Sequence, residues 1–219
     1  MPENRFILRR PFPYIYRRRA LTLVLINFAI FGLSFLYQNV YELVHLYGAM
    51  NPVLVAKGHM YWQFFTYMFV HQNFRHVLFN MIALLVFGLN LEKAIGSREF
   101  LLFYIVCGAL SGFFSFLVYY FTGQERVFLL GASGAVYAVL FAYAVFFPRS
   151  IIFIWGVVPV PAPVLVLLYA LIELGSQLFG SGSNVAHMTH LFGFIAAWLY
   201  FVLRMGIHPV KIWKQSYKR

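Results

Sequence analysis

The chain has 219 residues, 62% of them hydrophobic and 21% aromatic, and only 11% are charged. A soluble domain carries about a quarter charged residues, so this composition excludes one and marks a membrane protein. The net charge of +11 does not mark a nucleic-acid binder, because the bases sit at the two ends and in short connections and form no patch.

Residues 1–19 form a basic N-terminal tail carrying Arg5, Arg9, Arg10, Arg17, Arg18 and Arg19. Six apolar stretches follow, near 20–37, 73–91, 100–121, 131–147, 162–179 and 186–203. Each approaches the ~20 residues that a helix needs to cross a bilayer. The first is longer than the apolar region of a signal peptide and no small-x-small cleavage site follows it, so it reads as an uncleaved helix. Residues 38–72 are rich in aromatics but broken by Asn51, Pro52, Lys57, Gly58, His59 and Gln63. Such a segment cannot span, and is expected to lie in the interface or fold back against the bundle. Pro159, Pro161 and Pro163 argue against a helix through 150–161, which is expected to be a short cytoplasmic-side connection. Residues 204–219 form a second basic tail.

The expected architecture is an all-α polytopic bundle, with one domain over 20–203 and no internal repeat. Gly108 and Gly112 on helix three, and Gly193 and Ala197 on helix six, are spaced one turn apart, as close helix packing in lipid requires. The single cysteine, Cys107, excludes an intramolecular disulfide and a cysteine metal cluster.

An even number of spans puts both termini on one side. Fourteen of the seventeen Lys and Arg fall there, against Lys57, Arg75 and Arg126 on the other, so both termini are expected in the cytoplasm. Helices two, four and six then run inward from the outer face. Each carries polar residues near its start: His71, His76 and Asn80 on two, Ser133 on four, His187 and His190 on six. They should share one depth in the outer leaflet. His76 and Asn80, four apart, project from one face, as do His187 and His190, three apart. Singly, each reads equally well as an interhelical hydrogen-bond partner; their coincidence points to a site.

Ser133 needs a neighbouring base to become a nucleophile, and a neutral His190 can accept its proton. The sequence has no Asp, and of its six Glu only Glu42 and Glu125 are expected outside. A Ser-His dyad is therefore the natural reading, with slow turnover because the triad carboxylate is missing. Glu173, mid-span in helix five, reads as a neutral, hydrogen-bonded packing residue. Backbone N–H groups at the start of helix four, with Asn80 and His76, can donate to an oxyanion. Gly131 and Gly134 free the helix start and let helix six approach. The sequence GASGA lacks the strand and the second glycine spacing of a soluble nucleophile elbow.

These residues resemble the rhomboid family of intramembrane serine proteases from the first span to Leu203. The stretch GASG (131–134) is similar to the family's GxSG, HVLFN (76–80) to its HxxxN, LEKAIGS (91–97) to its turn after helix two, and AHMTHLFGF (186–194) to its AHxxHxxG. The resemblance implies a six-helix core with a long interfacial first loop. It implies Ser133 as nucleophile, His190 as base, an oxyanion hole of His76, Asn80 and the Ser133 backbone, and Tyr137 stacked on His190. His71 and His187 match positions that are structural or cavity-lining. It further implies an outward-opening site, substrate passing helix five and the first loop, single-pass membrane proteins as substrates, and no metal or organic cofactor. Size and family suit a bacterial inner membrane. In one departure, Trp62-Gln63 stands where the family often has Trp-Arg.

Two other classes stay open on sequence grounds. One is a rhomboid-like binder that holds membrane helices without cutting them; the other is a transporter or proton relay built from intramembrane His and Glu.

Overall fold

The computed structural model describes residues 12–154, 156–179 and 185–218. Arg5, Arg9, Arg10 and Arg219, which contribute to the charge asymmetry, lie outside the described residues. Among the described residues, five helices are long and apolar enough to cross a membrane and a sixth apolar helix is shorter. In chain order the six are α1 (Arg19–Leu36), α2 (Phe74–Ile95), α3 (Ser97–Phe121), α4 (Ser133–Phe146), α5 (Ala162–Phe179) and α6 (Val185–Tyr200). They fall on the six expected stretches. A π turn at Leu84–Gly88 lies within α2, and another continues α6 over Phe201–Met205. A further helix, α7 (Pro209–Ser216), occupies the basic C-terminal segment.

The short helix is the centre of the bundle. Ten of the fourteen residues of α4 are buried, so it is apolar all round and must be enclosed by protein. It packs against α2, α3, α5, α6 and α7. At 1.5 Å per residue it is about 21 Å long, short of the ~30 Å hydrocarbon core. Its approach to α6 depends on glycine: a Cβ on Gly193 would lie 2.3 Å from the Gly134 carbonyl oxygen. Gly108 on α3 meets α4 as expected, since a Cβ there would lie 3.1 Å from Ala135 Cβ, but Gly108 and Gly112 also face the first loop. Cβ atoms there would meet Met68 Sδ at 1.9 Å and the Tyr67 ring at 2.7 Å, so these glycines admit side chains of the first loop.

That loop folds back against the bundle as a series of short helical pieces (Gln38–Leu43, Pro52–Ala56 and Gln63–Thr66), tied by buried side chains. Asn51 Oδ1 accepts from Val53 and Leu54 N–H and so caps the helix that begins at Pro52. Its Nδ2 donates to the carbonyls of Glu125 and Val127, which joins the loop to the chain entering α4. Gln63, at the place of the family's frequent Arg, is fully buried. Its Oε1 accepts from Asn51 N–H and its Nε2 donates to the Leu46 carbonyl, so a neutral amide anchors this loop. Trp62 Nε1 donates to the Tyr47 carbonyl.

The LEKAIGS turn joins three elements. Glu92 on α2 accepts from the backbone N–H of Arg19 and Ala20, satisfying two donors that the first turn of α1 cannot bond internally. The Ser97 hydroxyl donates to the same carboxylate and accepts from Arg17 N–H. Gly96 adopts φ +82°, with Tyr14 packed over it, which a side chain would oppose. At the same end, Arg204 donates from Nε and Nη2 to the two oxygens of Glu99, and Tyr200 OH donates to Glu99 Oε1 at 2.6 Å, fastening α6 to α3.

The connection from 150 to 161 is an antiparallel hairpin, β1 (Ile151–Ile154) and β2 (Val158–Pro161). Its prolines fit a strand pair as they would not fit a helix. Pro159 and Pro161 are two apart, so both missing N–H groups fall on the same side of the strand, while Val158 and Val160 keep theirs for pairing. The bundle is thus mostly helical, with one small two-stranded ribbon.

Candidate active site

The start of α4 is fixed before α4 begins. Leu129 and Met50 exchange backbone hydrogen bonds of 2.8 and 2.9 Å, and Gly131 N–H donates to the Tyr67 carbonyl at 2.9 Å. Gly131 then takes φ +113°, a conformation that side chains resist, and a Cβ there would lie 2.6 Å from the His76 ring. The glycine therefore has two roles, of which the sequence shows only the first: it turns the chain into the helix, and it seats His76 against the backbone. Val136 N–H is the first to bond within the helix, to the Ala132 carbonyl at 2.9 Å. The N–H groups of Ser133, Gly134 and Ala135 precede it and have no carbonyl four residues back within α4.

Across from this helix start, Asn73 caps α2 by accepting from His76 N–H. Asn80 is buried, and one of its Nδ2 hydrogens goes to the His76 carbonyl at 2.9 Å. An amide carries two such hydrogens, which leaves the second. His71, which precedes α2, packs edge-on to His76, with ring centroids 5.1 Å apart. Its Nε2 accepts from Ala132 N–H at 3.4 Å. Burial, and secondarily the His76 ring, holds its pKa down at about 3, so it is neutral.

Ser133, His190, His76, Asn80 and Tyr137 line one cavity of about 820 Å³. It runs along a groove between α2 and α5, where Phe79 and Val86 stand opposite Leu165 and Tyr169, and Ile152 to Ile154 of the hairpin line one end. Among the described residues α2 and α5 share almost no close contacts, so the groove separates the two helices. The expected site residues are therefore brought to one place. Gly134 and Gly193 meet behind it, where α4 and α6 touch. The Tyr137 ring stacks on His190 with centroids 4.1 Å apart and planes 8° from parallel, as the resemblance implies.

Glu173 is where the structure goes beyond the sequence reading. Its carboxylate is hydrogen-bonded, but the partners belong to the site: His190 Nδ1 lies 2.8 Å from Oε1, Tyr137 OH donates to Oε1 at 2.5 Å, and His187 Nδ1 lies 2.5 Å from Oε2. Helix geometry carries a signal for this. Glu173 lies six residues before the end of α5 at Phe179, and His190 five residues after the start of α6 at Val185. At 1.5 Å per residue the two lie about 9 and 7.5 Å in from those ends, a near-equal count that two antiparallel neighbours turn into a shared level.

Comparison with known proteins follows the same residues. The Rhomboid domain model matches residues 58–206. The chain is 28% identical over 146 residues to the Rhomboid protease AarA of Providencia stuartii, covering 60% of this chain and 52% of that protein. It is 34% identical over 79 residues to the Rhomboid protease GlpG of Haemophilus influenzae, covering 36% and 38%. It is 28% identical over 152 residues to RHOMBOID-like protein 1 of Arabidopsis thaliana, covering 69% and 36%. These matches span about half of the Providencia protein and little more than a third of the other two. The matched domain takes in Ser133, His76, His190 and the turn after α2, and it is laid out here on five of the six apolar helices, α2 to α6; the chain belongs to the rhomboid family.

Proposed function

We propose that the chain is an intramembrane serine endopeptidase that cleaves single-pass membrane proteins, with Ser133 as nucleophile and His190 as its base. The observation that carries the reading is the convergence of Ser133, His190, His76 and Asn80 on one cavity along the groove between α2 and α5. The Providencia and Haemophilus relatives are named as proteases, which supports the same activity. The excess of bases at the terminus-bearing end supports a cytoplasmic location for both termini and an outward-opening site.

In the proposed reaction His190 Nε2 takes the Ser133 proton as Oγ attacks the scissile carbonyl. The oxyanion receives hydrogen bonds from N–H groups at the start of α4 and from Asn80 and His76. His190 then delivers the proton to the leaving amine, and the peptide bond breaks to give an acyl-Ser133. Water, deprotonated by His190, releases the carboxylate product and restores the serine. The groove between α2 and α5 gives an extended segment of a membrane helix a path to Ser133. Neither half of the reaction calls for a metal or organic cofactor.

The test is co-expression of a tagged single-pass substrate, whose helix contains glycine near the expected cut, with the chain or its Ser133→Ala form. A fragment produced only with the intact serine supports the reading. Substrate that stays uncut with the intact chain, yet co-purifies with it, points to a binder and overturns it.

A further inference from the structure

We infer that Glu173 is the positioning residue of His190, so that a carboxylate from α5 completes a Ser-His-Glu arrangement in place of a bare dyad. The inference rests on the proposed roles of Ser133 and His190. It starts from hydrogen-bond inventory. An ionised carboxylate only accepts, and a tyrosine hydroxyl or an imidazole N–H donates. Three such groups converge on two oxygens: Tyr137 OH and His190 Nδ1 on Oε1, and His187 Nδ1 on Oε2. With Oε1 as acceptor, the His190 hydrogen is on Nδ1. The tautomer thereby leaves a lone pair on Nε2, the nitrogen that must receive the Ser133 proton.

The arrangement also fixes the ring. His190 is held in its plane by Tyr137 stacked at 4.1 Å and held against rotation by the bond to Glu173. His187 occupies the other oxygen and stops the carboxylate from turning away. Glu173 itself is 5% exposed, so water competes little for these bonds. When His190 carries the transferred proton, the imidazolium faces the carboxylate at hydrogen-bond distance, which stabilises the charge formed during attack. Among the described residues, the other titratable side chains lining this cavity are Tyr169, whose ring centroid is 5.9 Å from that of Tyr137, and His76 and Arg75 on α2. None of them supplies a second carboxylate.

A structural role alone predicts loss of folding or nothing; a positioning role predicts a selective loss of turnover. The experiment uses the full chain purified in detergent, with a tagged single-pass substrate, comparing the unaltered protein, Ser133→Ala, Glu173→Gln and Glu173→Asp. Glu173→Gln is expected to lower kcat by about 10²- to 10⁴-fold, as loss of a triad carboxylate does elsewhere, while KM stays within about twofold. Glu173→Asp should recover part of that loss. The second readout needs no turnover: proton NMR of the Ser133→Ala protein should show a strongly downfield His190 Nδ1–H, absent after Glu173→Gln is added. Unchanged kcat in Glu173→Gln overturns the inference, and so does the absence of the downfield proton in Ser133→Ala, even if the Gln variant fails to fold. Cleavage that does not depend on Ser133 removes the protease reading instead, and the NMR signal still decides whether Glu173 orients His190.

Discussion

Replacing Gly193 by Ala tests whether the contact between α4 and α6 sets the geometry of the site. A Cβ at this position would lie 2.3 Å from the Gly134 carbonyl oxygen and 3.2 Å from Tyr137 Cβ. Ordinary contact begins at 3.4 Å, so the oxygen and the new methyl must separate by about 1.1 Å. The obstacle is backbone, not the end of a flexible side chain, so the helices themselves must part. Gly134 is next to Ser133 and Gly193 is one turn from His190, so the parting falls between the proposed nucleophile and its base. A displacement near 1 Å at reacting groups lowers rate by about 10²-fold, and overpacking of this kind destabilises by about 1–3 kcal/mol. The assay is kcat for Ser133-dependent cleavage by purified protein, alongside a thermal melt. Gly175→Ala on α5 is the control, because nothing lies within 4 Å of the place its methyl would take and α-helical alanine is favoured over glycine. Gly193→Ala with the kcat and melting temperature of the unaltered protein would refute the idea that this contact spaces the site.

Gly131→Ala combines a φ of +113° with a Cβ 2.6 Å from the His76 ring, and should lower stability by about 1–3 kcal/mol and activity along with it; a melt within a degree of the original would count against the strain. Glu92→Ala removes the acceptor of the Arg19 and Ala20 N–H groups at a fully buried position, with an expected loss of about 2–3 kcal/mol in thermal or denaturant unfolding. His71 gives a pH dependence. Its folded pKa is lowered from 6.5 to about 3, so the unfolded chain takes up a proton below 6.5 that the folded chain refuses until about 3. Stability should therefore fall through that window as pH is lowered, by ~1.4 kcal/mol per pH unit from this group. His71→Gln, followed by thermal inactivation against pH, should show a shallower fall; an unchanged slope would assign the effect elsewhere.

The positions of the six helices are legible in the sequence because each is a long apolar run closed by glycine, proline or charge. The shared depth of Ser133, His190, His76 and Asn80 is legible from the alternation of helix direction. The hairpin is not, because β1 and β2 are as apolar as a helix and their prolines say only what the segment is not. Which surface Gly108 and Gly112 meet is equally hidden: a small-residue spacing marks close approach without naming the partner, and here Met68 and Tyr67 of the first loop join Ala135 of α4 as partners. Glu173 reads as packing in the sequence because α5 runs outward, against the direction of the three helices whose starts carry the other polar residues. Its depth relative to His190 is a property of two helices counted from their facing ends at Phe179 and Val185, and only that count connects them.

The central helix has one more consequence. Its first turn hangs from the Tyr67 carbonyl and the Met50 strand bridge, and its last turn receives the Trp213 indole N–H of α7 at the Ala144 carbonyl. Its sides are taken by α2, α3, α5 and α6. The helix bearing Ser133 is thus suspended in a protein frame, much as a core helix is in a water-soluble enzyme, and lipid is its second neighbour rather than its first. Thickening or thinning of the bilayer strains the outer helices first, through tilt and hydrophobic mismatch. The serine feels the membrane only as far as that frame transmits it.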